Sequence, residues 1–226
     1  MKYENVKKGI FIDRPNRFIA NVEIEGKKEV VHVKNTGRCR ELLIPGATVY
    51  VQEFENTNRK TKFDLIGVCK GNELYNIDSQ APNKVIGEWI LNSKYFGDIK
   101  LIKPECKYGD SRFDFYIEAD NRKIFVEVKG VTLEENGVLM FPDAPTQRGV
   151  KHIYELCKCV EDGYEAYVCF VVQTEKAKYF TPNKRTHPEF AEALKTAKDN
   201  GVNILCLNCH VTENSIDINT FVDIML

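Results

Sequence analysis

The stretch Arg112-Phe113-Asp114-Phe115-Tyr116, followed after a turn by Phe125-Val126-Glu127-Val128-Lys129, decides the fold of this chain. These stretches belong to two β-rich runs, Arg112–Ala119 and Lys123–Val131, and the turn-forming pair Asp120-Asn121 stands between the runs. The pattern predicts two neighbouring strands that present charged residues at their centres.

Side chains two residues apart on a strand point the same way, so Glu127 and Lys129 share one face, and Val126 and Val128 anchor the other. A charged pair between two strands is costly unless the charges are used or solvated. The carboxylates of Asp114 and Glu127, with the carbonyl oxygen of Val128, would make a hard oxygen site for Mg²⁺ or Mn²⁺. Lys129 beside that metal would orient a water or stabilise charge on a phosphate. The alternative is a surface ladder in which Glu127 and Lys129 form only an ion pair.

Helical and strand patterns alternate around this pair. Apolar residues recur with helical spacing after Pro82, and again from Thr146 to Glu161, while Tyr164–Gln173 is apolar enough for a strand buried on both faces. From residue 81 the predicted order is α-β-β-β-α-β followed by α-β. The remaining predicted elements are strands at Ile99–Cys106 and Val202–Leu207 and a helix at Pro188–Asn200.

The first 80 residues read as β structure throughout. Six short β-rich runs are separated by turn signals, among them Asn35-Thr36-Gly37 and Asn56-Thr57-Asn58, and no helical period runs through them. Short strands joined by tight turns favour a small barrel or sandwich. We therefore predict two domains, 1–80 and 81–226, with the boundary between Asn76 and Pro82.

Composition narrows the class of protein. The 226 residues are 43% hydrophobic and carry a formal charge of −1, so no global basic field indicates a nucleic-acid partner. Residues 1–40 nevertheless hold ten Lys or Arg against five Asp or Glu. The longest apolar run, Ala166–Val172, is too short to cross a bilayer, and the N-terminus lacks the apolar region of a secretory signal. We expect a cytoplasmic protein without a membrane partner.

Eight cysteines stand mostly in apolar company, as in Tyr167-Val168-Cys169-Phe170. In a chain of this length without a signal, free thiols that act as small core residues are the favoured interpretation. Cys206-Leu207-Asn208-Cys209-His210 resembles half of a zinc site, but a structural zinc needs four ligands and the second pair has no good candidate.

Basic residues flank the turns of the N-terminal region: Arg14, Arg17, Arg38 and Arg40, with Lys34 nearby. Their aromatic neighbours are Phe11, Phe18 and Tyr50. Small barrels bind single strands through basic grooves and through base stacking on aromatic rings. Phe11 and Phe18 are more often core residues of such a barrel, and we favour that interpretation for both. The arginines are predicted nucleic-acid contacts, because basic groups dominate nucleic-acid affinity.

A second basic group opens the helix after the Phe141–Pro145 loop. Arg148, Lys151 and His152 are spaced i, i+3 and i+4, which predicts one exposed cluster able to hold a phosphate beside a metal site. The alternative is a solvated basic face with His152 as a surface residue. Thr146 is the predicted N-cap of this helix.

The order α-β-β-β-α-β with this acidic-lysine pair resembles the PD-(D/E)XK nuclease superfamily over residues 81–173. The resemblance implies that Asp114 and Glu127 are metal ligands and that Lys129 is the catalytic lysine. It also implies that Glu88, on the preceding helix, matches an extra acidic ligand of some members. The proline that usually precedes the aspartate is Phe113 here.

Six ordered blocks extend the resemblance to the whole chain. They are Asn35–Gly37, Pro104–Gly109, Ser111–Asp114, Glu127–Leu133, Phe141–Ala144 and Thr146–His152. Together they resemble the sugar fermentation stimulation protein family over residues 1–226. That resemblance implies DNA binding, an N-terminal barrel of the oligonucleotide/oligosaccharide-binding (OB) type and a nuclease-like C-terminal α/β domain with a mixed central sheet.

Our first functional hypothesis is a Mg²⁺- or Mn²⁺-dependent phosphodiesterase that acts on DNA or RNA. In it Arg112, Arg148 and Lys151 contact the nucleic acid beside the metal site. The second hypothesis is a non-catalytic DNA-binding protein, linked by the family name to sugar metabolism. A third, carbohydrate binding by the barrel, depends only on fold analogy.

Overall fold

The computed structural model describes residues 1–35, 37–55 and 59–226. The N-terminal strands are β1 (Val6–Asn16), β2 (Ile19–Ile24), β3 (Lys27–Val33), β4 (Thr48–Glu53), β5 (Phe63–Lys70) and β6 (Glu73–Asn76). They pair in the order β3-β2-β1-β4-β5-β6, and an additional pairing between β3 and β5 closes a five-stranded barrel. The predicted barrel is confirmed. Thr36 and the predicted turn Asn56-Thr57-Asn58 lie outside the described residues.

The C-terminal half forms a mixed sheet with helices on both faces. Its elements are α1 (Ala81–Ser93), β7 (Ile99–Tyr108), β8 (Ser111–Ala119), β9 (Arg122–Val131), β10 (Leu133–Glu135), β11 (Val138–Phe141), α2 (Gln147–Glu161), β12 (Glu165–Val172), β13 (Tyr179–Pro182), α3 (Pro188–Asp199), β14 (Asn203–Val211) and β15 (Ile216–Phe221). The main sheet has the order β15-β14-β12-β9-β8-β7, and β12 runs parallel to both neighbours. Apolar residues of α1 pack on one face, and those of α2 and α3 pack on the other.

The order predicted from residue 81 is present, and the structure adds strands that the sequence pattern missed. Three of them, β10, β11 and β13, form a separate small sheet and are only three or four residues long. The fourth, β15, is an edge strand in which four of the six residues are exposed and half are polar. Runs of three or four residues carry too little of the hydrophobic alternation that predicts strands, and in β15 the alternation extends only over Ile216-Asp217-Ile218.

Six of the eight cysteines are buried, and all eight thiols are free. Cys206 belongs to the apolar cluster on the α2 face of the sheet, and Cys209 belongs to the cluster on the α1 face. The two thiols of the half zinc motif therefore serve different cores.

Buried polar residues join the barrel to the α/β domain. At the end of β12, the Gln173 side-chain amide donates to Asn76 Oδ1 at 2.9 Å and to the carbonyl of Asp78 at 3.0 Å. The fully buried Asp78 carboxylate lies 2.6 Å from the Lys34 ammonium. These contacts fix the C-terminal end of β12 against the chain that leaves the barrel.

Candidate functional site

Asp114 lies where β8 and β9 separate. The ladder between these strands ends at the pair Phe115↔Val126. Beyond that pair, the Asp114 side chain takes the place of a backbone acceptor for β9. Its Oδ2 accepts a hydrogen bond from the backbone N–H of Val128 at 2.7 Å, and its Oδ1 accepts one from Asn83 Nδ2 of α1 at 2.6 Å. The strand opening therefore places a carboxylate between β9 and the first turn of α1.

Glu127 is the buried centre of the site, with 3% of its surface exposed. Its Oε1 accepts hydrogen bonds from the Lys129 ammonium and from His152 Nδ1, the latter at 2.6 Å. Its Oε2 is buried and has no hydrogen-bond partner among the residues that the structure describes. A buried carboxylate oxygen without a partner is costly, so this atom is available to a further positive group.

His152 does not belong to an exposed cluster, and that part of the prediction is wrong. The residue is buried between α2 and β9, because it is spaced i+3 from Gly149 and i−4 from Leu156 on the inner face of the helix. Arg148 Nε points to His152 Nε2 at 3.4 Å, which leaves the proton on Nδ1 to be donated to Glu127. Arg148 and Lys151 are exposed as predicted.

The other predicted residues at the start of α2, and Arg112 on β8, lie at the surface or at the helix terminus. Lys151 Nζ lies 3.7 Å from Glu155 Oε1 on the next turn of α2. The Thr146 hydroxyl accepts a hydrogen bond from Gly149 N at 3.0 Å, as expected for an N-cap. Arg112 is largely exposed and 3.9 Å from the Glu105 carboxylate. The basic side chains of this group therefore stand at the surface, outside the buried centre.

The two carboxylates have opposite electrostatic environments. Burial and the nearby Glu127 charge raise the pKa of Asp114 to about 6, although the Val128 and Asn83 hydrogen bonds oppose this change. Burial alone would raise the pKa of Glu127 as well. The hydrogen bond from His152 and the charge of Lys129 outweigh it, so the pKa of Glu127 lies below its usual range. Both carboxylates are therefore mostly ionised at neutral pH, and Asp114, which is repelled by the Glu127 charge, is the one that takes up a proton first as the pH falls.

The donor set fits a divalent cation that prefers oxygen. The Asp114 and Glu127 carboxylates are close enough for the Glu127 charge to raise the pKa of Asp114, and Glu127 Oε2 is buried without a partner among the described residues. Among the described residues, no three His, Cys, Asp or Glu side chains form a complete ligand cluster. Mg²⁺ is typically held by one or two carboxylates and keeps several waters, so two carboxylates suffice for it.

Glu88 is not brought to this site. Its carboxylate lies 2.8 Å from the α-ammonium group of Met1, and its side chain is 53% exposed. The α1 residue that contacts Asp114 is Asn83, which the sequence analysis missed. The available signal is spacing: Gly87 lies one turn after Asn83, and a Cβ there would be 3.3 Å from the Phe115 ring, so this face packs on β8.

The N-terminal arginines line a cavity of about 430 Å³ that includes Ala144 of the α/β domain. Arg14 contributes mainly to structure, because its guanidinium donates to the carbonyls of Asn35, Gly37, Arg38 and Arg17 at 2.7–3.0 Å. Arg17, Arg38 and Arg40 are exposed. They form no ion pair with any described residue, and their charges face the cavity or solvent.

Phe11 fills the barrel core as predicted, but the same prediction for Phe18 is wrong. Phe18 is 51% exposed, because it lies in the turn before β2, where Asn16 Oδ1 accepts its backbone N–H at 2.8 Å. The Arg17 guanidinium lies 5.9 Å from its ring centre. An exposed aromatic ring therefore stands beside the arginine cavity. Tyr50, by contrast, is buried and donates its hydroxyl to Glu213 at 2.7 Å.

Comparison with known proteins gives one family over both halves of the chain. Residues 80–215 match the sugar fermentation stimulation protein RE domain, and residues 12–77 match the SfsA N-terminal OB domain. The chain belongs to the sugar fermentation stimulation protein family. Within the described residues of this SfsA-family chain, no helix is long and apolar enough to cross a membrane.

Relatives and a solved structure align over the full length of this SfsA-family chain. The Clostridium beijerinckii homolog is 60% identical and the Ruminiclostridium cellulolyticum homolog 58% identical, each over 100% of both chains. The structure of Pyrococcus furiosus SfsA in complex with Ca²⁺ is 32% identical, with a TM-score of 0.90 over 100% of this chain and 98% of that one. The barrel followed by a mixed-sheet α/β domain is thus the SfsA fold.

The raised pKa of Asp114 predicts a pH-dependent loss of stability in the absence of metal. Between its unperturbed value of 3.8 and the folded value of about 6, the folded state binds more protons than the unfolded one. Stability from this group is therefore complete below pH 4 and lost as the pH rises to about 6. The loss is up to about 3 kcal/mol, and Asp114→Asn should not show it.

Urea unfolding in EDTA across this pH range measures the difference between the wild type and Asp114→Asn. Asp199→Asn, an exposed substitution on α3, is the matched control and should retain the wild-type profile. Identical profiles for the wild type and Asp114→Asn would contradict the assigned ionisation.

Proposed function

We propose that this SfsA-family chain binds nucleic acid and hydrolyses its phosphodiester bonds with a bound divalent cation, Mg²⁺ or Mn²⁺. Asp114, Glu127 and the carbonyl of Val128 are the proposed ligands. The observation that carries the proposal is the Glu127 carboxylate. One of its oxygens is held by Lys129 and His152, and the other is buried without a partner among the described residues, near Asp114.

The relative from Pyrococcus furiosus, whose structure was solved in complex with Ca²⁺, supports a divalent cation in this family. Ca²⁺, Mg²⁺ and Mn²⁺ all prefer oxygen ligands, and the smaller ions keep more water. Two carboxylates and a carbonyl leave room for that water, which favours Mg²⁺ or Mn²⁺ as the cation of this chain.

In phosphodiester hydrolysis, a bound cation supplies charge stabilisation at the phosphate and lowers the pKa of a water. The Lys129 ammonium, whose side chain is 16% exposed, is placed to hold that water or a phosphate oxygen. His152 positions Glu127 through its Nδ1–H, and Asn83 positions Asp114. Burial of these groups excludes bulk solvent and strengthens their electrostatic effect.

The basic residues complete the proposal. Arg17 and Arg38 would bind the phosphate backbone at the barrel, and Arg112, Arg148 and Lys151 would hold phosphates beside the metal site. DNA is the proposed substrate and RNA the alternative. Residues 1–80 would serve as the binding module and 81–226 as the hydrolytic one. A cytoplasmic location belongs to the proposal, since a reducing compartment keeps thiols free, as all eight are here.

One observation favours a second candidate, a non-catalytic DNA-binding protein. Lys129 and His152 already satisfy one oxygen of Glu127 without any cation. Incubating the purified chain with labelled single- and double-stranded DNA, in Mn²⁺ or in EDTA, separates the two candidates. Cleavage in Mn²⁺ but not in EDTA supports the phosphodiesterase. Binding without cleavage in either condition supports the second candidate.

Arg17→Ala combined with Arg38→Ala is expected to weaken nucleic-acid binding and to flatten its dependence on salt. Each lost phosphate contact should lower the slope of log affinity against log salt by about 0.7–0.9. Fluorescence anisotropy with a labelled oligonucleotide at several salt concentrations measures the slope. Lys195→Ala with Lys198→Ala, exposed on α3, is the charge-matched control. An unchanged slope in the arginine variant would move the binding surface elsewhere.

A further inference from the structure

A small cavity lies between the arginine cavity and β9, the strand that carries Glu127 and Lys129. It has a volume of about 190 Å³ and lies where the barrel meets the α/β domain. Its walls include Asn35, Ser79, Thr132, Phe141, Asp143 and Gln173. Sites for drug-sized ligands have volumes of about 300–1,000 Å³, so this cavity fits one planar ring system and not a whole nucleotide.

The position of the cavity connects the two proposed contact regions. Gly130, which follows Lys129 on β9, lines the cavity. Gly37 lines both this cavity and the arginine cavity. Asp143 lines the small cavity, and its neighbour Ala144 lines the arginine cavity. A strand held by the barrel arginines and by Lys129 would therefore pass this cavity.

Two of the side chains that line the cavity, Gln173 and Asp143, each have an acceptor oxygen without a partner among the described residues. Gln173 is 1% exposed and uses its amide nitrogen twice, while its Oε1 has no partner among the described residues. Asp143 accepts the backbone N–H of Arg38 with Oδ2 at 2.8 Å, and within the described part of the chain its Oδ1 accepts no hydrogen bond. Phe141 adds a half-buried aromatic wall.

Glycine at two lining positions keeps the cavity open. A Cβ at Gly130 would lie 2.8 Å from both Gln173 Oε1 and Pro82 Cγ, and a Cβ at Gly37 would lie 2.7 Å from Asp143 Oδ2. Real Cβ atoms are not found this close to other atoms, so a side chain at either position would displace one of the acceptors.

We propose that this cavity binds a single unpaired nucleobase and reads its N–H donors with Gln173 and Asp143. The proposal depends on the nucleic-acid function proposed above, and it specifies the substrate class: single-stranded nucleic acid, or a duplex with one nucleotide turned out of the stack. Bases with an exocyclic amine present donors that match two acceptors, whereas thymine presents only its ring N–H. Cytosine is therefore preferred over thymine.

The test compares the affinities of labelled oligonucleotides of equal length: oligo-dC, oligo-dT and a fully abasic chain. Wild-type protein should bind oligo-dC roughly five- to a hundredfold more tightly than the abasic chain, with oligo-dT between them. Thr132→Leu, which fills the cavity, should remove most of this difference and leave the salt slope unchanged. Asp143→Asn exchanges an acceptor for a donor and should abolish the preference for cytosine over thymine.

The outcomes distinguish the cavity from the wider function. If all three variants of the oligonucleotide fail to bind wild-type protein, the nucleic-acid function itself is wrong. If binding is normal but Thr132→Leu and Asp143→Asn both keep the wild-type base preferences, the cavity proposal is overturned. If Phe18→Ala instead removes the base-dependent affinity, its source is stacking on the exposed ring beside Arg17. Thermal melts confirm that each variant is folded.

Discussion

Glu127→Gln is expected to remove most of the stabilisation that Mn²⁺ gives to the wild-type chain. The amide keeps the shape of the carboxylate but carries no charge, so the buried Oε2 position loses its attraction for a cation. A ligand that binds only the folded state stabilises it by RT ln(1 + [L]/Kd), about 2.7 kcal/mol at a hundredfold excess over Kd. Thermal melts in Mn²⁺ and in EDTA measure this difference for each variant.

Glu88→Gln is the matched control for this experiment. Glu88 contacts the Met1 ammonium group and not the site, so its variant should respond to Mn²⁺ as the wild type does. An equal metal response in wild type and Glu127→Gln would show that Glu127 is not a ligand of the cation. A reduced response in Glu88→Gln would return Glu88 to the ligand set that the sequence resemblance implies.

Lys129→Ala is expected to reduce metal-dependent hydrolysis by about 10²- to 10⁴-fold, the typical contribution of a positioned proton-transfer or charge-stabilising group. Metal binding should persist or strengthen, because the substitution deletes a positive charge that contacts Glu127. Single-turnover cleavage of labelled DNA in Mn²⁺ measures the rate, and thermal melts measure the metal response.

Lys123→Ala, an exposed substitution on the same strand, is the control and should cleave at the wild-type rate. A Lys129→Ala variant that retains both metal response and full cleavage would exclude the lysine from the chemistry. Loss of the metal response together with cleavage would instead make Lys129 a structural partner of Glu127.

The strand period was sufficient to predict the pair at the centre of the site. Glu127 and Lys129 are two apart on β9, so they share a face by the geometry of any strand, and the structure joins them through one carboxylate oxygen. The i, i+3 and i+4 spacing of Arg148, Lys151 and His152 predicts one shared face, but the structure buries His152 while the other two stay exposed. The spacing Gly149, His152, Leu156 already assigns it to the inner face of α2.

Other features depend on contacts between distant parts of the chain, which a local pattern does not encode. Asn83 reaches Asp114 only because α1 packs across β8, thirty-one residues away. Asp143 accepts the backbone N–H of Arg38, and Arg14 of β1 donates to the Arg17 carbonyl in the next turn and to three carbonyls that follow β3. The small cavity between the domains depends on such contacts. The sequence therefore predicts the arginines on one side of it and the Glu127–Lys129 pair on the other, but not the cavity itself.

The buried contacts of Gln173 have a consequence for the folding of the two halves. Gln173 belongs to the α/β domain, and its partners Asn76 and Asp78 belong to the chain that leaves the barrel. Separating the halves between Asn76 and Pro82 would leave the buried Gln173 amide without its acceptors and expose the surfaces that bury it. Unfolding should therefore be cooperative across the junction, with one transition for the intact chain and no stable barrel fragment.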